Sequence, residues 1–168
     1  EIYTMDLPRP VGLLTSETQN YLWVGTGDCC HGHVYVLQGE GDLAIRDIKA
    51  PGINVYDIMP IRRTSSGTSY PEILVAGFGC SGAGVRLVGE GSVDVVLGTE
   101  EFHSLYPPSS SGLKRTVFAS SSDSIGLFIP WSDGRRYVDL TASLIGLGVN
   151  ISATISLLKS YTIFRNPY

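Results

Sequence analysis

Charge is scarce in this chain. Asp, Glu, Lys and Arg make up 17% of its 168 residues, against a usual share of about 25%, and the lysines are few: Lys49, Lys114 and Lys159. The net charge of -4 argues against a general nucleic-acid binder, since phosphate recognition needs a clustered basic surface. The pairs Arg62-Arg63, Lys114-Arg115 and Arg135-Arg136 read as solvated loop charges. Catalytic signatures are missing too. The chain has no Gly-x-Ser-x-Gly elbow, P-loop or dinucleotide fingerprint. The glycine-rich string Gly77-Phe-Gly-Cys-Ser-Gly-Ala-Gly84 joins two extended runs instead of opening a helix, which makes it a poor phosphate cradle. Nothing marks two acids about 5 to 10 Å apart in contrasting environments, as glycoside hydrolysis requires.

No initiator Met opens the chain and no charged-then-apolar leader stands at its start, which suggests a processed or excised product. The stretch 140–158 is uncharged and nearly long enough to span a bilayer. However, Val149, Ile151, Ala153, Ile155 and Leu157 alternate with polar residues, and that period of two predicts a half-buried strand in place of a membrane helix.

What the chain does have is glycine, 20 residues of it, and repetition. One copy reads Tyr21-Leu-Trp-Val-Gly-Thr-Gly, then Asp28-Cys-Cys-His-Gly, then His33-Val-Tyr-Val-Leu, then Gly39-Glu-Gly. A second reads Glu72-Ile-Leu-Val-Ala-Gly-Phe-Gly, Cys80-Ser-Gly-Ala, Gly84-Val-Arg-Leu-Val, Gly89-Glu-Gly. A third, more diverged, reads Arg115-Thr-Val-Phe-Ala-Ser-Ser-Ser, Asp123-Ser-Ile-Gly, Leu127-Phe-Ile-Pro-Trp, Ser132-Asp-Gly. Val24 and Val75 are 51 residues apart, Val75 and Phe118 are 43 apart, and stacked structural repeats tolerate such variation in their loops. Each copy is preceded by an extended piece ending near a proline, at Pro8, Pro60 and Pro107, and followed by another run: Leu43-Ala-Ile-Arg-Asp-Ile, Val93-Asp-Val-Val-Leu or Tyr137-Val-Asp-Leu. The expectation is four strands per repeat in one all-β domain, with repeats at about 1–52, 53–98 and 99–145 and a closing or next-repeat strand in 146–168.

A repeated four-stranded antiparallel unit of about 45 residues resembles the blade of a β-propeller. Pro71-Glu-Ile-Leu-Val-Ala-Gly and Gly84-Val-Arg-Leu-Val look like blades of the integrin-type propeller repeats. The calcium loop of that family is not carried over, because the preceding Thr64-Ser-Ser-Gly-Thr-Ser-Tyr70 contains no Asp. Three blades are fewer than the four to eight typical of closed propellers. The shortage implies completion by another chain, such as two chains closing a six-bladed ring, or a piece of a longer propeller, or instead a β-sandwich or prism.

Candidate sites cluster at the hairpins. Cys29, Cys30, His31 and His33, with Cys80 at the matching hairpin, offer soft metal ligands in no zinc-finger spacing. The alternatives are a disulfide from Cys80 to Cys29 or Cys30, free buried thiols, or a thiol nucleophile paired with a histidine. Three cysteines leave one unpaired unless it bonds another chain. The recurring acids Glu40, Glu90 and Asp133, and Asp28 with Asp123, are read as hairpin-tip residues. Tyr70, His103, Tyr106 and Tyr168 are polar-aromatic loop residues suited to a protein or carbohydrate contact. Asn150-Ile-Ser152 is a glycosylation acceptor, expected on the polar side of the 149–157 strand. With few lysines and many Ser, Thr and Tyr, this points to an extracellular or cell-surface chain. The expectation is a non-enzymatic interaction or assembly subunit without a cofactor, a homo-oligomer or one joined to a companion chain. The alternative is a propeller-type carbohydrate-active hydrolase or lyase.

Overall fold

The computed structural model describes residues 10–16, 21–27, 32–39, 44–64, 72–79, 82–105, 116–131 and 134–165. Sheet I begins with β1 (Pro10–Ser16), β2 (Tyr21–Thr26), β3 (Val34–Gln38) and β4 (Ala44–Lys49). Sheet II follows with β5 (Asp57–Ile61), β6 (Glu72–Gly79), β7 (Gly82–Val88) and β8 (Val93–Leu97), and then a short helix, α1 (Thr99–Leu105). Sheet III is β9 (Val117–Ser120), β10 (Ile125–Trp131) and β11 (Gly134–Asp139). Helices α2 (Thr141–Gly146) and α3 (Ile151–Leu158) lead to β12 (Tyr161–Arg165), which returns to pair antiparallel with β1. The sheet orders are β12-β1-β2-β3-β4, β5-β6-β7-β8 and β11-β10-β9. The protein is mostly β, built of three antiparallel sheets that do not close on one another.

Sheet II is the middle layer, and alternation along β6 shows why. Ile73 and Val75 enter one core with Trp23, Val34 and Val36 of sheet I. Leu74 and Ala76, their neighbours in sequence, enter the other with Phe118, Leu127 and Ile129 of sheet III. A strand buried on both faces reads as a continuous apolar run, as 73–76 does. The sheets meet through their first strands, with β5 touching β1 and β12 on one side and β9 on the other. Pro60 sits in β5, an edge strand of its sheet, where a missing N–H breaks no ladder.

The structure departs from the sequence expectation at four places. The first described strand is at 10–16, beyond the run ending at Pro8 where it was expected, and that run lies outside the described residues. The run ending at Pro107 was expected to be a strand, but 99–105 is helical. Glu100 and Glu101 fall in its first turn, where the helix dipole favours acids. Phe102 is buried. The half-buried strand expected in 140–158 is likewise two helices. Leu140, Leu144, Leu147, Ile151 and Leu158 all pack on the core between sheets II and III, Thr154 is buried as well, and their spacing of four and three is helical. Gly148 (φ +82) breaks the path and Asn150 restarts it, accepting from the Ala153 N–H at 2.9 Å. Finally, sheet III has three described strands where four were expected, and the Asp57 carboxylate of β5 accepts the Phe118 N–H of β9 at 2.7 Å.

A side-chain device recurs in the units. The Thr99 hydroxyl accepts from the Ala83 N–H and donates to its carbonyl, at 3.2 Å each, tying the start of α1 to the start of β7. Thr141 does the same to Ile125 at the start of β10, at 3.1 and 3.4 Å. Three residues after each threonine a fully buried side chain, Phe102 or Leu144, anchors the helix. In sheet I, Thr26 binds both backbone groups of His33.

Candidate functional site

Of the residues singled out in the sequence, Asp28, Cys29, Cys30, His31, Glu40, Tyr70, Cys80, Tyr106, Asp133 and Tyr168 lie outside the described residues. The bases of the two cysteine-bearing hairpins do come together. A Cβ added at Gly32 would lie 2.6 Å from the Asn54 Cα, and one at Gly79 would lie 2.8 Å from the Asn54 Nδ2, so both hairpins close on the same linker residue. His33 is half-buried, with its ring 6.2 Å from that of Tyr35. His103 is exposed on α1 beside Phe102, so the two histidines serve different elements. Among the described residues no group of three or more His, Cys, Asp or Glu could hold a metal. Asn150 is exposed, at a helix start instead of on a strand. Its Oδ1 is engaged by the cap, and its Nδ2 is the atom a glycan would take. Asp123 is exposed at the β9–β10 hairpin tip, as expected. No described helix is long and apolar enough to cross a membrane.

Sequence reasoning missed the charged cluster at the edge of sheet II. Arg63 is no solvated loop charge. Its Nε lies 3.0 Å from the buried Glu72 Oε2, close enough for an ion pair though not aligned as a hydrogen bond, and its Nη2 donates to Asp94 Oδ2. Burial pushes the Glu72 carboxyl above its ordinary value, Arg63 pulls it back, and Asp94 pushes it further up. Toward the other end of the same sheet, the Arg86 guanidinium is buried and donates to the carbonyls of Leu97, Val85 and Ala83 at 2.8, 3.1 and 3.3 Å. Burial lowers its pKa, and carbonyl dipoles surround it across the β7–β8 bulge. Both features hold strands together. A surface depression lined by Arg62, Ala153, Ser156 and Leu157 brings one cation to a mostly neutral wall, without an acid–base pair.

The outer face of sheet III has a different character. Cross-strand pairing defines one ladder row per sheet: Trp23, Val36 and Asp47 in sheet I; Leu74, Leu87 and Asp94 in sheet II; Val117, Phe128 and Tyr137 in sheet III. In sheets I and II the two apolar members are buried against the next sheet. Their Asp is paired with a cation, Asp47 with Lys49 at 2.9 Å and Asp94 with Arg63. In sheet III the row points away from sheet II. Phe128 is 39% exposed and Tyr137 46%, their rings tilted at 52° with centroids 5.0 Å apart. Tyr137 also covers Gly126, where any Cβ would collide with its ring. The sequence did not show it, because the third run carries its own Asp at Asp139, and only the strand register sets Tyr137 in the place of Asp47 and Asp94.

No protein-family model matches the chain, and comparison with curated proteins and with solved structures finds no match.

Proposed function

We propose that this chain is a non-enzymatic interaction or assembly subunit of propeller-like blades that acts outside the cell or at its surface and is completed by a protein partner. The observation that carries the reading is the ladder row above. The row whose first two members seat the next sheet in units I and II faces outward in unit III, where Phe128 and Tyr137 form an exposed aromatic pair. The gathering of β1 and β9 on β5 supports radiating blades. The exposed Asn150 acceptor supports an extracellular site of action.

Native mass spectrometry with and without reductant tests this. A discrete complex, with itself or with a stoichiometric companion chain, is the expected result. Loss of the complex on reduction would place a cysteine at the contact. A monomer that turns over a glycoside or polysaccharide would overturn the reading in favour of the hydrolase or lyase alternative. For the location, thiol titration of the denatured chain is expected to give one free thiol, the other two cysteines being oxidised. Three free thiols in protein from its native source would count against an extracellular chain.

A further inference from the structure

The outer face of sheet III asks for an occupant, and the fold indicates its kind. Within the chain, the equivalent row is twice covered by another antiparallel sheet of the same repeat. Two arrangements extend that pattern to a second copy. In the head-to-tail one, sheet III would stack on the far face of a neighbour's sheet I. That face carries Ile45 and Ile48, 47% and 49% exposed, at its β4 edge, but its centre is already covered, with Val24 and Leu37 each 2% exposed. The centre of that face is therefore not free to receive a sheet.

We infer that the chain self-associates through a two-fold contact in which the Phe128–Tyr137 face of sheet III packs on the same face of a second copy. This rests on the assembly reading above and names its surface and partner. The contact is isologous, so one patch must complement itself. The central row of Val117, Phe128 and Tyr137 carries no charge, and the positions flanking Tyr137 on that face of β11 are Arg135 and Asp139, one of each sign. Tilted rings favour edge-to-face contacts with a facing pair. Size sets the strength. Three strands about 4.8 Å apart and about five residues long at roughly 3.3 Å each present a footprint of roughly 240 Å², well below the ~800 Å² per partner of a standard stable interface. The dimer is therefore weak and concentration-dependent.

Sedimentation equilibrium between ~10 μM and ~1 mM, the range in which such small contacts show themselves, tests the proposal. The average mass of the wild-type chain is expected to climb from 18.1 kDa toward twice that value. Phe128→Lys and Tyr137→Lys should each remain monomeric over the range. Both side chains are substantially exposed, so far-UV circular dichroism and the urea midpoint should stay near wild type, and either variant suffices if the other fails to fold. Ile48→Lys should dimerise normally. A wild-type monomer throughout would overturn the self-association and leave a subunit completed by a different chain untouched. Lysine variants that still dimerise would remove this face while leaving the assembly reading standing. Loss of association in Ile48→Lys would replace the two-fold contact with a head-to-tail one.

Discussion

At the scale of single residues, the most informative group is Glu72. It sits at the start of β6, buried, with Arg63 on one side and Asp94 beyond. Desolvation outweighs the arginine, so its folded pKa lies above its ordinary value. A carboxyl raised on folding binds more protons in the native state than in the unfolded one. Its contribution to stability is therefore full below the unfolded pKa and lost as pH rises through the folded value. Asp139 works in the opposite sense. Hydrogen bonds from Thr141 depress its pKa, so its contribution is present above the unfolded value and fades as pH falls through the folded one. The Glu72→Gln variant should lose the part of the pH dependence that begins near the ordinary Glu value of 4.5 and extends upward. Urea midpoints of wild type and variant, compared from pH 4 to 8, measure it. A gap between the two curves that stays constant across that range would contradict the raised pKa. The sequence displayed Glu72 as part of a strand start, and nothing in it tied Glu72 to Arg63, whose neighbour Arg62 made both look like loop charges. Only the pairing of β5, β6, β7 and β8 brings the three ionised groups together.

At the scale of elements, the strands of sheets I and II were largely readable, because apolar runs bounded by glycine turns leave few other choices. The helices were not, and 140–158 shows why. The alternation at 149, 151, 153, 155 and 157 is real, but the series 140, 144, 147, 151, 154 and 158, which crosses it at Ile151, matches the helical period. Burial decided between them: the second series faces the core, while the first spreads around the helix. Two threonines fix where helices follow sheets. Replacing Thr99 or Thr141 by valine keeps the shape and removes both hydrogen bonds, leaving the N–H of Ala83 or Ile125 without its hydroxyl acceptor. Each change should cost about 1–3 kcal/mol, the range for an orphaned buried donor, and the two costs should be similar because the devices are equivalent. Urea unfolding of the two variants and of the double variant checks this. A cost below the experimental error in both would show that the clamps add nothing beyond the strand ladders.

At the scale of the whole molecule, the three sheets have two cores but share one middle layer. The all-β class was legible in the repeat. The order of the layers was not, since the sequence cannot say which face of a doubly buried strand meets which neighbour. Ile73 and Leu74 make the point in adjacent residues, the first in the core with Trp23 and the second in the core with Phe118 and Leu127. Both side chains are essentially inaccessible to solvent. Truncating either to alanine should cost about 2–5 kcal/mol, a large share of the roughly 5–15 kcal/mol that holds a domain together. The consequence concerns cooperativity. A cavity made at Ile73 loosens the sheet I core directly, and it also loosens the sheet III core because the same strand bears both. Ile73→Ala and Leu74→Ala should therefore each lower the urea midpoint in a single transition with unchanged slope. Indole fluorescence in a Trp131→Phe background, where Trp23 alone reports from within the sheet I core, should move together with far-UV circular dichroism in both variants. If Leu74→Ala unfolded the rest of the chain while the buried Trp23 signal kept its wild-type midpoint, the two cores would be separate cooperative units, and sheet II would join them mechanically without coupling their stabilities.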